Sequence, residues 1–295
     1  MEQTQIEQIK RAGKIAVEVR AFARDIIKKG VPLLQIAEQI EAKIEQLGGK
    51  AAFPVNLSKN EIAAHATPLF EDTELAEGLL KVDIGIHVDG YVADSAFSLD
   101  LENLEENKKL IQAAEKALHN ALQTIHEGIE VREIGKIIEQ TIQSCSFNPI
   151  RNLSGHSIEQ YNLHAGMNIP NYDNGQTQKM TPGLYAVEPF TTNGAGAVRD
   201  SKPSGIYLLI KSVSLREPFA REVLKTIAQE YNTLPFCSRW LQKKYGTRVL
   251  IALKRMEESG AIRQYPLLIE TAKGKVAQAE HTILVTLKNT LVTTK

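Results

Sequence analysis

A helix–glycine–helix unit occurs twice in this sequence, and it limits the possible folds more than any other feature. Gly30 in the first copy corresponds to Gly128 in the second, 98 positions later. The matching residues are Ile27, Gly30, Val31, Leu33, Ile36, Ile40, Glu41 and Ile44 in the first copy and Ile125, Gly128, Ile129, Val131, Ile134, Ile138, Glu139 and Ile142 in the second. Amphipathic helices resemble one another, but a matched glycine and a matched glutamate favour duplication. The sequence therefore predicts two similar halves, and a site between such halves is an ordinary place for chemistry.

The segment KVDIGIHVDGYVADSAFS, residues 81–98, is typical of two strands joined by a tight turn. The Asp-Gly pair at its centre suits the positive φ values of a two-residue hairpin loop. In that register Gly85 lies opposite Asp94, and Asp83 is a diagonal neighbour of Asp94, roughly 7–8 Å away at the backbone. The other face is predicted to join the core, and its residues are Val82, Ile84, Ile86, Val88, Tyr91, Ala93 and Phe97.

The two aspartates of this hairpin point into one space, where Gly85 is expected to leave room between them. Such acids repel each other unless a cation or a proton lies between them. A pair of divalent cations about 3.5–4 Å apart would fit two acids in this position. The alternative is a hairpin whose polar face contacts water, and the hairpin alone leaves both interpretations open.

The charge balance and the cysteines exclude some classes of function. The chain has 35 basic and 35 acidic residues, so electrostatics do not favour nucleic acid or an anionic membrane as the main partner. No apolar run reaches the roughly 20 residues that cross a bilayer, and the first residues lack the apolar core of a signal peptide. Cys145 and Cys237 form no metal-spaced pair. They are predicted to be free thiols in a reducing cytosol, which favours a cytoplasmic location.

Two glutamates interrupt apolar runs that are otherwise typical of strands. Glu188 lies within LYAVEPF, and Glu280 lies within VAQAEHTILVTL. A carboxylate inside an apolar strand needs a partner. Each glutamate alone could face solvent, but together with Asp83 and Asp94 they favour metal ligation.

Two histidines stand close together in the glycine-containing segment NLSGHSIEQYNLHAGM, which is predicted to be a loop. His156 and His164 could place one imidazole on a metal and the other near a substrate. A surface loop with two solvated histidines is the alternative. The sequence around a third histidine, His65, taken alone favours a structural role over a catalytic one.

Several segments together resemble the motifs of methionine aminopeptidases, in the order in which that family uses them. They are VDIGIHVDGYVADSAF, GHSIEQYNLHAG, YAVEPF and AQAEHTILV, with AAHATP similar to the substrate-histidine motif of the family. The resemblance covers nearly the whole chain and is to the type 2 branch in particular, in its archaeal form. It implies an α+β, pita-bread fold in which two pseudo-symmetric α/β halves surround a curved antiparallel sheet. The repeat agrees with this expectation.

The resemblance implies a dinuclear metal site. Its ligands would be Asp83, Asp94, His156, Glu188 and Glu280. Four carboxylates and one imidazole suit two divalent ions of Co, Mn, Fe or Zn rather than a metal that seeks thiols. Within the family Asp94 and Glu280 bridge the ions, while Asp83 binds one ion and the other two residues bind the second. Glu188 is also implied to shuttle a proton as a catalytic residue.

Five residues are implied to contact the substrate. His65 and His164 would be catalytic residues that stabilise the developing oxyanion and orient the peptide. Phe53, Leu163 and Tyr265 would surround the methionine side chain, because thioether sulfur contacts aromatic rings favourably. An alanine follows His65, where many relatives have a larger residue, and this leaves the fine substrate preference open.

The long interval between the last two implied ligands has a helical pattern of its own. Type 2 members carry a helical subdomain there that resembles a winged helix. The resemblance implies a catalytic domain of residues 1–190 and 263–295 and an inserted helical, winged-helix-like subdomain of residues 191–262. Winged helices can bind DNA, but acidic residues offset the basic ones in this insert, so no specific nucleic acid is expected as a partner.

The implied function is removal of the initiator methionine from nascent proteins and peptides whose second residue is small. The resemblance implies a monomer that acts on N-terminal peptides, with the ribosome as a candidate further partner. X-Pro aminopeptidases and prolidases are one alternative, but they usually have an additional N-terminal domain, and here only about 60 residues precede the first motif. A non-catalytic binding protein of the same fold is the second alternative, although such proteins lose ligands that this chain keeps. A purely structural α/β protein is the third, but it would leave the buried acids unexplained.

Overall fold

The computed structural model describes residues 2–295, in which helix pairs alternate with antiparallel strands. The helices are α1 (Gln3–Ile26), α2 (Leu33–Gln46), α3 (Glu105–Thr124), α4 (Val131–Ser144), α5 (Pro218–Glu230), α6 (Ser238–Tyr245) and α7 (Val249–Glu258). The strands are β1 (Lys50–Ala51), β2 (Asn56–Lys59), β3 (Ile62–Ala64), β4 (Leu79–Val88), β5 (Tyr91–Asp100), β6 (Asn148–Pro149), β7 (Ser154–Ile158), β8 (Asn168–Pro170), β9 (Gly183–Val187), β10 (Phe190–Thr192), β11 (Val198–Leu209), β12 (Phe236–Cys237), β13 (Ile262–Glu270), β14 (Val276–Gln278), β15 (His281–Val285) and β16 (Thr290–Val292). These strands form four antiparallel sheets, so the predicted α+β class is confirmed.

The two copies of the repeat fold alike, as predicted. Helices α2 and α4 both have 14 residues, and the preceding turns contain Gly30 and Gly128 with φ angles of 84° and 88°. The Gly30 amide donates a hydrogen bond to the Ala76 carbonyl at 2.8 Å, and the Gly128 amide donates to the Met180 carbonyl at the same distance. The positive φ explains why glycine stands at this position in both copies.

Each helix pair packs against strands of its own half. Helices α1 and α2 share a hydrophobic core with β4 and β5, whereas α3 and α4 share another with β9, β14 and β15. Apolar side chains at helical spacing meet the apolar faces of the strands in both cores. The opposite face of the β4–β5 hairpin carries Asp83 and Asp94, and this face therefore points away from the helices, towards the space between the halves.

The β4–β5 hairpin has the predicted register. Gly85 lies opposite Asp94, and Val88 lies opposite Tyr91 across a two-residue turn in which Asp89 has a φ of 51°. Because side chains alternate along a strand, this turn places both aspartates on the same face.

A buried histidine supports the turn of this hairpin and is expected to make stability depend on pH. The Gly90 amide donates to His87 Nδ1 at 3.1 Å, and burial, with the nearby Lys50 charge, lowers the pKa of His87 to about 4. The unfolded chain binds a proton at this histidine near pH 6.5, whereas the folded protein does so only near pH 4. Stability is therefore lost as the pH falls from about 6.5 to 4, by roughly 1–3 kcal/mol from this residue.

His87→Asn should reduce this loss, because the asparagine oxygen can accept the same hydrogen bond without taking up a proton. Urea unfolding at pH 7 and pH 4.5 would measure the difference in the free energy of unfolding. His126→Asn, in the exposed connection between α3 and α4, is the matched control. Identical losses in wild type and His87→Asn would contradict the role given to His87.

The region between β11 and β13 contains three helices with a hydrophobic core of their own. Helices α5, α6 and α7 contribute buried residues that include Val223, Leu241 and Leu253. The guanidinium of Arg239, which is fully buried, donates two hydrogen bonds to the Glu41 carboxylate of α2 at 2.7 and 2.8 Å. This ion pair fixes the helical region against the first half. The division at residues 191 and 262 stays a prediction.

Two further expectations concern the chain as a whole. Within residues 2–295, none of the helices combines the length and the apolar character that crossing a membrane requires. Both cysteines are free, as expected, with Cys237 buried and Cys145 partly exposed.

Candidate metal centre and substrate cavity

A cavity of about 250 Å³ brings all the sequence-predicted site residues together. It lies between the two halves, on the polar face of the β4–β5 hairpin. The predicted residues in its lining are Phe53, His65, Asp83, Asp94, His156, Leu163, His164, Glu188, Tyr265 and Glu280. Residues far apart in the sequence thus share one space.

The aspartates reach this cavity from the β4–β5 hairpin. Gly85 was expected to leave open space between them, but that space is occupied. A Cβ atom at Gly85 would lie only 2.2 Å from Cε1 of Phe53. The space that the glycine leaves is therefore filled by the Phe53 ring, which is buried and forms one wall of the cavity.

The glutamates reach the cavity from breaks between strands, so the prediction of two continuous strands was wrong. Glu188 lies between β9 and β10, and Glu280 lies between β14 and β15. Strand β9 pairs with β15 in one sheet, whereas β10 pairs with β14 in another. Each chain segment crosses from one sheet to the other at its glutamate. Because the side chain there leaves the regular alternation, both carboxylates can turn towards the aspartates.

His156 lies on a strand, so its predicted position in a loop was also wrong. It belongs to β7 and pairs with Ala186 of β9 on one side and Asn168 of β8 on the other. His164 does lie in the connection that follows, and its ring centroid is 4.4 Å from that of His156. The strand holds one imidazole rigidly inside the site, while the connection places the other nearer to solvent.

Ligand atoms of Asp94, His156 and Glu280 all lie within 4.8 Å of one another, and these three side chains are buried. Nε2 of His156 is 3.8 Å from Asp94 Oδ2 and 3.6 Å from Glu188 Oε1. Asp83 lies across the hairpin from this group and completes the cluster of the five predicted ligands.

Sequence reasoning missed Gln278, which lies among these acids. Its amide nitrogen is 3.3 Å from Asp83 Oδ2, 3.5 Å from Glu188 Oε2 and 3.4 Å from Glu280 Oε2. The signal was its position two residues before Glu280, which in an extended chain places both side chains on one side. An amide nitrogen can only donate, so Gln278 reduces the repulsion between carboxylates.

Thr282 is a second residue that the sequence analysis missed. Its hydroxyl accepts a hydrogen bond from the Asp94 amide and donates one to the Asp94 carbonyl, both at 2.7 Å. This pair of bonds ties the second half of the chain to the hairpin of the first half. Thr282 therefore fixes the backbone from which the Asp94 carboxylate projects.

The ionisable groups of the site have shifted pKa values. Burial raises the pKa of Asp83 to about 7. Burial and the neighbouring carboxylates hold the pKa of Asp94, Glu188 and Glu280 well above their usual range. Burial, with the neighbouring His164 ring, lowers the pKa of His156 to about 3, so this imidazole is neutral at physiological pH. Four acids that resist ionisation next to a neutral imidazole form a site that a cation would stabilise.

The donor atoms themselves fit a metal. Within the described residues, Asp83 Oδ1 and Asp94 Oδ1 are buried without a hydrogen-bond partner. Buried polar atoms normally have a hydrogen-bond partner, so oxygens without one around a shared space indicate that a ligand binds there. Carboxylate oxygens with one imidazole are a donor set for divalent Mn, Fe, Co or Zn.

The remaining cavity residues suit a peptide. Nδ1 of His65 lies 3.1 Å from the Pro266 carbonyl, and because a carbonyl can only accept, this nitrogen carries the hydrogen. Burial lowers the pKa of His65, so its ring is neutral and presents Nε2 to the cavity as an acceptor. Burial also lowers the pKa of His164, and the neighbouring His65 and Arg263 act in the same direction because they disfavour a further positive charge.

The apolar part of the cavity is formed by the three residues predicted to surround a methionine side chain. Phe53 and Leu163 are buried, and the Tyr265 ring packs edge-on against His65 at a centroid distance of 5.1 Å. A mostly apolar cavity next to acids and imidazoles can hold an apolar side chain while a polar group reacts.

The sequence profile of metallopeptidase family M24 matches residues 7–286. The chain belongs to metallopeptidase family M24. A curated relative, "Methionine aminopeptidase" from Pyrococcus abyssi, is 47% identical over 98% of this chain and 99% of its own length. The family identity gives the acid cluster a chemical context, because M24 proteins are metallopeptidases and this cluster is the candidate metal site.

Solved structures agree with the predicted pita-bread fold. A methionine aminopeptidase from Thermotoga maritima matches with a TM-score of 0.73 at 22% identity and covers 100% of this chain and 98% of its own. The prolidase from Pyrococcus furiosus matches with a TM-score of 0.62 at 16% identity, but only 64% of that chain is covered. At these sequence identities, the two structures establish the shared fold and nothing about function.

Proposed function

We propose that the protein removes methionine from the N-terminus of peptides and proteins by hydrolysing the first peptide bond. The observation that carries this proposal is the acid cluster at one side of a small apolar cavity, in a chain that is 47% identical to a methionine aminopeptidase over nearly its full length. The prolidase alternative and the binding-protein alternative have no such support. The prolidase from Pyrococcus furiosus is only 16% identical to this chain, and a binding protein needs no set of unsatisfied buried carboxylates.

We infer that Asp83, Asp94, His156, Glu188 and Glu280 hold two divalent ions. The four carboxylates would then carry charges that two such ions balance. Bound divalent ions supply a nucleophilic water at neutral pH and polarise the carbonyl of the substrate. The neutral state of His156 suits ligation, because an imidazolium has no lone pair to offer.

The chain's own residues would move protons and orient the peptide. Glu188 lies at the cavity wall, and its carboxylate would accept a proton from the attacking water and give it to the leaving amine. His164 can donate a hydrogen bond to the carbonyl oxygen as negative charge develops there. His65 offers an acceptor instead, and it would bind the N–H of the scissile bond and orient it.

The apolar wall sets the preference for the first residue of the substrate. Phe53, Leu163 and Tyr265 would enclose an unbranched methionine side chain, and the loss of a methylene or of the sulfur contact should cost about 1–3 kcal/mol. The scissile bond would lie at the acid cluster, where a large second residue would collide with the site. A small second residue is therefore expected.

The proposal is tested with the peptides Met-Ala-Ser, Met-Lys-Ser and Ala-Ala-Ser and the dipeptide Ala-Pro, incubated with the protein and Mn²⁺ or Co²⁺ and analysed by mass spectrometry. Cleavage after methionine in Met-Ala-Ser is expected to exceed cleavage of Ala-Ala-Ser by roughly 10–200-fold. Preferred hydrolysis of Ala-Pro would favour a prolidase, and no hydrolysis of any peptide would favour a binding protein. Equal cleavage of Met-Ala-Ser and Met-Lys-Ser would remove the limit on the second residue.

The proposed substrate implies N-terminal peptides as binding partners. The action on nascent chains, the cytoplasmic location, the monomeric state and a link to the ribosome stay predictions.

A further inference from the structure

A second cavity lies between α1 and α3, the first helices of the two helix pairs, and the roles described above do not use it. Its volume is about 250 Å³, and among the described residues it has no lining residue in common with the central cavity. Ala279 and His281, which flank Glu280 in the sequence, form part of its wall. The space is large enough for a small ion but below the size of most pockets for organic ligands, which begin at roughly 300 Å³.

Two arginines of α1 line this cavity without an acidic partner. The guanidinium carbon of Arg24 lies 4.0 Å from the centre of the Phe97 ring, and that of Arg20 lies 5.8 Å from the same centre. Within residues 2–295, neither guanidinium forms an ion pair with a carboxylate. Two positive charges that share one aromatic ring repel each other, so an anion placed between them would stabilise both.

The nearby acids do not cancel this positive charge. Burial lowers the pKa of Arg20 to about 10, and the charge of Arg24 acts in the same direction. The carboxylates of Glu280 and Glu115 act in the opposite direction, but they do not restore the usual value. Among the described residues, Glu115 is the only acidic side chain in the lining, whereas Lys295 adds a third basic one. The lining side chains therefore carry an excess of positive charge.

A histidine adds a hydrogen-bond donor to the wall of the cavity. Nη1 of Arg20 lies 2.9 Å from Nδ1 of His281, and because arginine can only donate, this imidazole nitrogen accepts. The ring therefore carries its hydrogen on Nε2, where it can donate. The side chain of Arg24 makes no hydrogen bond within residues 2–295, so its N–H groups are available as well.

Donors from a helix of one half and a strand of the other thus surround a positively charged space. Guanidinium groups bind phosphate-type oxygens through pairs of parallel hydrogen bonds. We propose that this cavity binds a phosphate-type oxyanion between Arg20, Arg24 and His281, either as the free ion or as the phosphate group of a small monoester. The ion would neutralise the excess charge and connect α1 of the first half to β15 of the second.

Sulfate is the first probe of this site, because it has the shape and the charge of a phosphate dianion. Isothermal titration calorimetry on the Mn²⁺-loaded protein, at constant ionic strength, would measure its dissociation constant. Arg24→Gln is expected to weaken sulfate binding by roughly tenfold, because hydrogen bonds between charged groups are lost. Sulfate bound at the metal centre instead would be insensitive to this substitution.

Two further variants separate the site from the total charge and from the stability of the fold. Lys14→Gln is the matched control, because it removes one positive charge from an exposed position of α1 that does not line the cavity. It should bind sulfate as wild type does. Glu115→Gln removes the acid from the lining and should tighten binding by roughly two- to fivefold, which damage to the fold would not do.

Equal sulfate binding by wild type and Arg24→Gln would overturn the inference, and so would the absence of saturable binding to wild type. An equal loss in Lys14→Gln and Arg24→Gln would overturn it too, because only the total charge would then matter. Unchanged or weaker binding by Glu115→Gln would contradict the role of charge in the cavity.

Inorganic phosphate and glycerol 2-phosphate, each titrated into wild type and Arg24→Gln, distinguish the two sources of the oxyanion. Binding of both that depends on Arg24 would assign the site to the phosphate group of a monoester. Binding of inorganic phosphate alone would assign it to the free ion. Binding of neither, or binding that does not depend on Arg24, would overturn the proposal.

Discussion

Removal of divalent cations is expected to abolish peptide hydrolysis and to lower the midpoint of thermal unfolding by roughly 5–15 °C. The reason is the mutual repulsion of the four carboxylates of the cavity: burial raises all four pKa values, and neighbouring carboxylates raise those of Asp94, Glu188 and Glu280 further. Bound cations stabilise the folded protein because the unfolded chain does not assemble the same ligands. Thermal melting and peptidase assays with and without a strong chelator would measure both effects.

Addition of Mn²⁺ or Co²⁺ after removal of the chelator serves as the control for irreversible damage. Both the activity and the melting midpoint should return. An unchanged midpoint together with unchanged activity in metal-free protein would show that the cluster is not a metal site. Loss of activity with an unchanged midpoint would show that the cations are needed for hydrolysis but do not stabilise the fold.

The parts of the fold that were predictable from sequence are those set by local chemistry. The two-residue turn fixes the register of the β4–β5 hairpin, and the register then fixes which side chains share a face. Gly85 opposite Asp94 follows from this alone. The helix pairs were visible because apolar residues at helical spacing are bounded by glycines with positive φ.

The parts that were not predictable depend on contacts between distant segments. The run around Glu188 has the composition of one strand, and only its pairing with two different sheets shows why it breaks there. His156 stands in a sequence rich in small and polar residues, but the neighbouring strands on both sides draw it into a sheet. Propensity is weak in such segments, and tertiary pairing decides the outcome.

The repeat also shows a limit of sequence similarity. Glu41 and Glu139 occupy matching positions, yet Glu41 pairs with the buried Arg239, whereas Glu139 pairs with the more exposed Arg151. Helix α6, which carries Arg239, packs against the first half at this point, whereas Glu139 of the second half has a partner at the surface instead. A matched residue therefore keeps its helix position but acquires a different partner from the surrounding structure.

Replacement of the two neighbouring histidines of the site is expected to affect different properties of the protein, namely kcat and metal content. His164→Ala should keep the metal content of the protein but lower kcat by roughly 10²–10³-fold, the usual cost of one oxyanion donor. His156→Ala should lose metal, because its ring lies within 4.8 Å of ligand atoms of Asp94 and Glu280. Metal analysis after dialysis and steady-state kinetics on Met-Ala-Ser would measure both properties for each variant.

The kinetic readout separates a catalytic role of His164 from a structural one. His164→Gln keeps an N–H donor, so it should recover part of the kcat that His164→Ala loses, while KM changes little in either variant. The ring of His164 is exposed at the cavity, whereas that of His156 is buried, so truncation of the first should also leave the melting midpoint nearly unchanged. Release of metal by His164→Ala, with metal retained by His156→Ala, would reverse the two assignments. Equal activity of the Ala and Gln variants would mean that His164 acts through its shape rather than through its donor.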